Sequence, residues 1–315
     1  MYKVPILLII YNKAQKTHYL FQEIKKLQPE KLYVAADGAN LAADKLDYKL
    51  CLQARSLILP EWNCQLQTLY KDAHLGKHAM IFQAMKWFFE NEPEGIVLFD
   101  DALPHSDFFP YCEELLDRYR DNKTIMHIGA NNFNKKKQKR FFKRYRSEKK
   151  TIESSYHFSA YSTVWGFATW RDRWTNFTQK MMEWEGENFN RMLDHYMDKP
   201  KERLFWLRRF HILRQYKLQN WENQYNFYIW LKQGLAITPN VNLVSNMGFS
   251  QQRKKVRRLK RKTFPIMPLV HPDTIQQDKK ADRYIFRRLY KRVYFKMFAS
   301  WFDNKIMGHD PNVNQ

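Results

Sequence analysis

Cysteine is scarce in this chain: three among 315 residues, at positions 51, 64 and 112, an odd set without metal-ligand spacing. That argues against a disulfide scaffold and a cysteine-built metal site, and fits a reducing compartment. Long apolar runs are missing too. The run nearest the start, Val4 to Ile10, is seven residues long, too short to cross a bilayer. It has neither a cleavage site nor the strongly basic front of a secretory signal. It predicts a first β-strand in a cytoplasmic protein. No internal repeat is visible. Basic residues far outnumber acids in two stretches. Lys135 to Lys150 carries ten Lys/Arg against Glu148, and Arg253 to the end carries seventeen against five Asp; together they hold +9 and +12 of a net +22. Charge confined to a loop and a tail, without a recognisable nucleic-acid motif, argues against a nucleic-acid-binding protein. It leaves room for an enzyme that rests on an anionic membrane.

What is present suffices for a core: 44% hydrophobic and 16% aromatic residues in a chain of 38.5 kDa, enough for one large domain or two small ones. Strand-like runs alternate with helical patterns through the first half. PILLIIYN precedes an amphipathic stretch from Lys16 to Leu27, then KLYVAADG, a helix around 44–54, the extended QLQTLYKD, a helix over 78–90 and the strand GIVLFDD. Ser106 is a candidate N-cap for a helix that turns Phe109, Cys112, Leu115, Leu116 and Tyr119 inward, and TIMHIGAN follows as a strand. Such alternation predicts an α/β fold, a mostly parallel sheet with flanking helices. Ligands bind such sheets beyond the carboxyl ends of the strands, where Asp37 with Gly38 and Asp100 with Asp101 both fall. In the second half, YHFSAYSTVWGFATW suggests strands leading into a helix from Trp170. Residues 183–219 look helical, with Leu204, Leu207, Phe210 and Leu213 on one face. A further helix over 221–232, ended by Gly234, leads into a strand. The stretch 253–275, with Pro265, Pro268 and Pro272, reads as a linker.

The pair Asp100–Asp101 admits two readings. One is a solvated strand end starting a turn. The other is a metal and phosphate site, since a hard cation such as Mn²⁺ or Mg²⁺ takes one or two carboxylates plus substrate phosphates. Strand alternation puts Phe99 and Asp101 on one side and Asp100 on the other. Asp37 before a glycine is also an ordinary turn, Arg55 could pair with a surface acid, and Glu222 near a helix start is favoured by the helix dipole whatever its role. Trp165, Phe167 and Trp170 could form an aromatic platform for a sugar ring or belong to the core.

GIVLFDDALPHSDFF resembles the segment around the metal-binding acids of bacterial hemolytic-protein-like nucleotide-diphospho-sugar transferases, which have the GT-A fold and are related to N-acetylglucosaminyltransferase I. PILLIIYNK, LYVAADGA, Cys51 with Arg55, EWNC, HLG (74–76), WGFATW, NWENQY and ITPNVNLVSNMGF follow in the same order, over roughly residues 3–250. The resemblance implies a GT-A glycosyltransferase body over 1–252, including the helical segment 183–219, followed by a basic linker and amphipathic helix over 253–315. It also implies nucleotide-sugar contacts at Asp37, Arg55, Asp100 and Asp101, with Asp101 ligating Mn²⁺ or Mg²⁺. Glu222 would be the general base of an inverting transfer, and Trp165, Trp170 and Trp221 would meet the acceptor. Three departures make the metal conditional. Phe99 stands at the first acid of three, Glu222 replaces an Asp, and the His-Thr ending expected after NMGF is absent. Arg253, Lys254 and Lys255 stand there instead, candidates to neutralise the departing diphosphate directly.

From Lys279 to Phe302, Phe286, Leu289, Val293, Met297 and Trp301 recur at helical spacing opposite six basic residues. This pattern fits either an interfacial helix on an anionic membrane or a terminal helix docked on the body. The expectation is therefore an inverting glycosyltransferase, cytoplasmic and peripheral on the inner face of the membrane. It would move a sugar from a nucleotide-diphosphate donor to a cell-surface or lipid-linked saccharide. A catalytically silent sugar- or lipid-binding relative acting as a partner protein is the alternative, with a basic nucleic-acid-binding protein ranked below it.

Overall fold

The computed structural model describes residues 1–134, 138, 141, 154–177, 186–215, 220–247 and 263–290. The basic loop 135–150 (apart from Gln138 and Phe141), Arg253, Lys254 and Lys255, and the tail from 291 onward lie outside the described residues. Four early strands build the sheet centre: β1 (Ile6–Ile10), β2 (Lys31–Ala36), β3 (Gln65–Tyr70) and β4 (Glu94–Phe99). β1 is buried at all five positions. That is why it reads as an unbroken apolar run, since a parallel strand covered on both faces has no polar side. β3 closes the edge, and its first four residues, Gln65 to Thr68, are exposed. Between the strands run α1 (Ala14–Leu27), α2 (Asp47–Ser56) and α3 (Lys77–Asn91), close to the periodic stretches in the sequence.

After β5 (Ala102–Pro104) come α4 (Phe108–Tyr119), β6 (Ile125–Gly129), β7 (Tyr156–Ser159), β8 (Phe167–Trp170), α5 (Arg171–Trp174), α6 (Gly186–Tyr196), α7 (Pro200–Gln215), α8 (Trp221–Leu231), β9 (Leu235–Pro239), β10 (Val244–Asn246) and α9 (Lys279–Leu289). The main sheet has the order β3-β2-β1-β4-β8-β6-β9-β7, and β5 pairs with β10 separately. β1, β2, β3 and β4 are parallel, as are β6 and β9, while β8 and β7 run against their neighbours. The sheet is thus mixed and mostly parallel, with flanking helices, as expected. The chain steps from β1 outward to β3 and then returns past β1 to β4. Right-handed crossovers therefore put α1 and α2 on one face and α3 on the other. The reversal falls between β1 and β4, which is where such sheets open a crevice.

Several local expectations change. α4 begins after Asp107, not Ser106, and has no side-chain cap; the Asp107 carboxylate instead accepts from the Ile266 and Met267 amides. On α7 the buried side carries Phe205, Trp206, Phe210 and Leu213, while Leu204 is 38% exposed. Two adjacent aromatics bury more apolar area than the leucines could, so they set the rotation of the helix. After α8 the left-handed residue is Gln233, at φ 53°, not Gly234.

Residues 263–278 lie along the body, with the Phe264 amide on the Asn242 carbonyl and the Asp278 amide on the Phe158 carbonyl. The described part of the C-terminal helix, α9, docks as well. Ile285 is buried, Phe286 packs on Phe205, and Tyr290 on Trp206. Between Lys279 and Tyr290 the apolar side thus faces protein. Asp282 anchors this turn: its carboxylate accepts from Ser159 Oγ, the Ala160 amide and Gln277 Nε2 at 2.5, 2.9 and 2.7 Å. Burial raises the Asp282 carboxyl from 3.8 to about 7, against those three donors and with nearby Glu202 adding to the rise. A raised pKa favours the folded state at low pH, so this contribution is full below about 4 and is lost as pH rises to about 7. Asp282→Asn should therefore flatten the pH dependence of thermal stability between pH 4 and 7. An unchanged slope would show that Asp282 is not the titrating group.

Candidate active site

A cavity of about 440 Å³ opens at the carboxyl rim beside the β1–β4 reversal. Its walls come from far-apart segments: Tyr11 and Lys13 after β1, Asp37 after β2, His74 and Lys77 before and at the start of α3, Phe99, Asp100 and Asp101 at the end of β4, Trp165 before β8, and Trp221 with Glu222 at the start of α8. Asp37, Asp100, Asp101, Trp165, Trp221 and Glu222 are thus brought together, although up to 185 positions separate them. Arg55 and Trp170 do not line the cavity.

Asp37 is 4% exposed and its oxygens are occupied. Oδ1 accepts from the Gly38 and Leu75 amides, Oδ2 from the Gly76 amide, and His74 Nδ1 lies 3.1 Å from Oδ2. The carboxylate therefore fixes the loop 74–76 that starts α3, and the rings of His74 and Tyr11, 5.5 Å apart, line the cavity. Gly38 is required here, because a Cβ would stand 2.4 Å from the Ala73 backbone. Arg55 turns away from the crevice and donates to the Asp37 and Lys71 carbonyls at 2.9 and 2.7 Å over the Tyr70 ring. It clamps the ends of β2 and β3, whereas the resemblance put it on the nucleotide.

Strand alternation ends at Phe99. Asp100 and Asp101 belong to a turn, so Asp100 also reaches the cavity, contrary to the alternating expectation. Asp100 is 4% exposed; Oδ1 accepts from Lys13 Nζ at 3.0 Å and Oδ2 from the Tyr11 amide at 3.3 Å. Burial pushes the Asp100 carboxyl upward and the Lys13 ammonium downward, and their contact opposes both shifts. With Asp101 adding its field, Lys13 ends above its ordinary value. Asp101 itself is half-buried and holds the Met247 amide with its main-chain carbonyl. Among the described residues no group of three or more His, Cys, Asp or Glu could hold a metal ion. With Asp100 committed and Phe99 packed on Trp221 at 5.9 Å, only Asp101 of the expected acids remains for a cation. Among the described residues the side chains by themselves therefore do not complete a metal site.

Glu222 is in the first turn of α8, capped by the Asn220 side chain, and its side chain is 47% exposed. Lys77 Nζ lies 3.5 Å away. The neighbouring Trp221 is 3% exposed, and its indole N–H has no acceptor among the described residues. Of the aromatic platform only Trp165 remains, 37% exposed and edge-on to Phe133. Phe167 is fully buried. Trp170 is 2% exposed at the opposite rim, with Arg173 over its ring at 4.3 Å. The reason is strand direction: β8 is antiparallel to β4, and Trp170 pairs with Glu94 at the strand's amino end. Sequence reasoning missed Tyr11, Lys13 and Lys77, for which a position one or three residues past a strand, or the first position of a helix, was the available signal.

No family model matches the sequence and no curated protein sequence does. Solved structures share parts of the architecture. Glucosyl-3-phosphoglycerate synthase from Mycobacterium tuberculosis, with Mn²⁺, UDP and its glucosyl product, is 10% identical over 68% of this chain and 79% of its own, at a TM-score of 0.33. Apo UDP-glucose pyrophosphorylase is 8% identical over 78% and 93%, at 0.39, and apo mouse xyloside xylosyltransferase 1 is 10% identical over 73% and 82%, at 0.33. In two further synthase complexes the chain spans 56% and 57% of the solved chain's length. Likeness this distant carries no argument about chemistry, which must come from the side chains around the crevice.

Proposed function

We propose that the chain is a glycosyltransferase of GT-A type that uses a nucleotide-diphosphate sugar and inverts the anomeric carbon. One observation carries the reading. A carboxylate at a helix start, Glu222, and an ammonium at the strand-order reversal, Lys13, face one cavity large enough for a sugar. On this reading the diphosphate lies on the Lys13 side and the sugar between it and Glu222. The acceptor hydroxyl gives its proton to Glu222 as its oxygen bonds to the anomeric carbon. The bond from that carbon to the diphosphate oxygen breaks, and the electron pair leaves with the nucleoside diphosphate. One base without a covalent nucleophile accounts for inversion. Trp165 and Trp221 would flank the acceptor, a saccharide or glycolipid. The Mn²⁺ or Mg²⁺ expected from the resemblance is left out of this step, because among the described residues Asp101 is the one expected acid left to ligate it. Association with the inner membrane face would rest on the basic tail beyond Tyr290. Among the described residues no helix is long and apolar enough to cross a membrane.

Thermal-shift titration with UDP-, GDP-, CMP- and dTDP-sugars, with and without Mn²⁺, tests the reading. Stabilisation by one nucleotide class supports it. Absence of any shift favours the silent-relative alternative, for which the half-filled acid motif at Phe99 is the specific observation.

A further inference from the structure

Lys13 follows β1 and Asp100 follows β4, the neighbouring strands at which the order reverses. A hard cation seeking Asp100 would have to displace the ammonium from Oδ1 and a backbone amide from Oδ2. At Asp101 a divalent ion would stand beside that same ammonium, and like charges held together in a crevice repel strongly. A phosphate meets the opposite situation. The ammonium has three donors and gives one to Asp100; the side chain is 42% exposed and lines the cavity, so its head is open to an anion. Lysine is well suited to phosphate as a point charge. Lys77, which also lines the cavity, adds a second ammonium, 74% exposed and in contact with Glu222.

Resting on the nucleotide-sugar reading, we infer that Lys13, held by Asp100, takes the place of a divalent ion, so that the donor diphosphate binds and departs without metal. As the bond from the anomeric carbon to the diphosphate oxygen breaks, the electron pair settles on that oxygen. Lys13 meets it by donating a hydrogen bond and keeps its proton. No further reactant is required.

Isothermal titration of the full chain with UDP, GDP, CDP and dTDP, in EDTA and again in Mn²⁺, is the test. One nucleoside diphosphate should bind in EDTA, with an affinity that Mn²⁺ changes less than about twofold. Lys13→Gln should weaken that binding roughly 10- to 100-fold, the worth of a hydrogen bond to a charged group, while Lys13→Arg retains most of it. Mn²⁺ alone, followed by its free-ion electron-spin signal, should stay unbound by the wild type. Binding that demands Mn²⁺ and vanishes in EDTA overturns the inference and leaves the nucleotide-sugar reading standing. Failure of all four nucleotides under both conditions overturns both. Wild-type affinity in Lys13→Gln overturns the role of the lysine. The EDTA comparison on the wild type decides the metal question even if that variant fails to fold.

Discussion

Replacing Glu222 by Gln should lower the transfer rate about 10²- to 10⁴-fold, the usual worth of a positioned general base, and leave nucleotide affinity within about twofold. The split follows from geometry. Glu222 lines the cavity from the start of α8, a different segment from those that bring Lys13 and Asp100, and on the proposed reading it serves the acceptor rather than the diphosphate. Glutamine preserves the length and the first-turn position but cannot take a proton. The fold should tolerate the change, since the side chain is 47% exposed and its ion pair with the exposed Lys77 is a 3.5 Å contact, worth little to stability. Steady-state rates, with the nucleotide dissociation constant measured separately, check this. Parallel losses in rate and affinity would move Glu222 to donor binding, and unchanged turnover would remove it from the chemistry.

Trp170→Ala should cost about 3–5 kcal/mol of stability, as expected for truncating a buried Trp, while turnover per folded molecule stays near wild type. The indole is 2% exposed, donates to the Leu116 carbonyl at 3.3 Å and stacks under the Arg173 guanidinium. Its removal leaves a cavity and takes away one face of a buried cation. Against a total stability of about 5–15 kcal/mol for ordinary domains, the chain would approach its unfolding threshold. Denaturant unfolding reads the cost, and initial rates well below the transition read turnover. An acceptor KM raised many-fold in folded protein would restore Trp170 to the platform that its sequence position suggested.

Local pattern was enough wherever neighbours along the chain decide the outcome. Apolar runs bounded by turn residues became β1, β2, β4 and β6, and the 3.6-residue periods became α1, α3 and α4, because each buries its own apolar side regardless of partner. Where a residue's role depends on which way its strand points, pattern was silent. WGFATW reads as one aromatic unit. Yet β8 runs antiparallel, so Trp165 falls at the crevice and Trp170 at the far rim, with Phe167 in the core between them.

The chain by itself determined an α/β protein with its acids at strand ends, since composition, alternation and the positions of Asp37, Asp100 and Asp101 need no partner to be read. Tertiary structure alone decided what those acids do. Asp37 is enclosed by three amides and a histidine, and Asp100 is neutralised by Lys13 from 87 residues away, leaving Asp101 and Glu222 as the carboxylates on the cavity wall not enclosed in this way. The physical reason is that a carboxylate's chemistry is set by its donors and its burial. Both are supplied by strands that only the order of the sheet brings together.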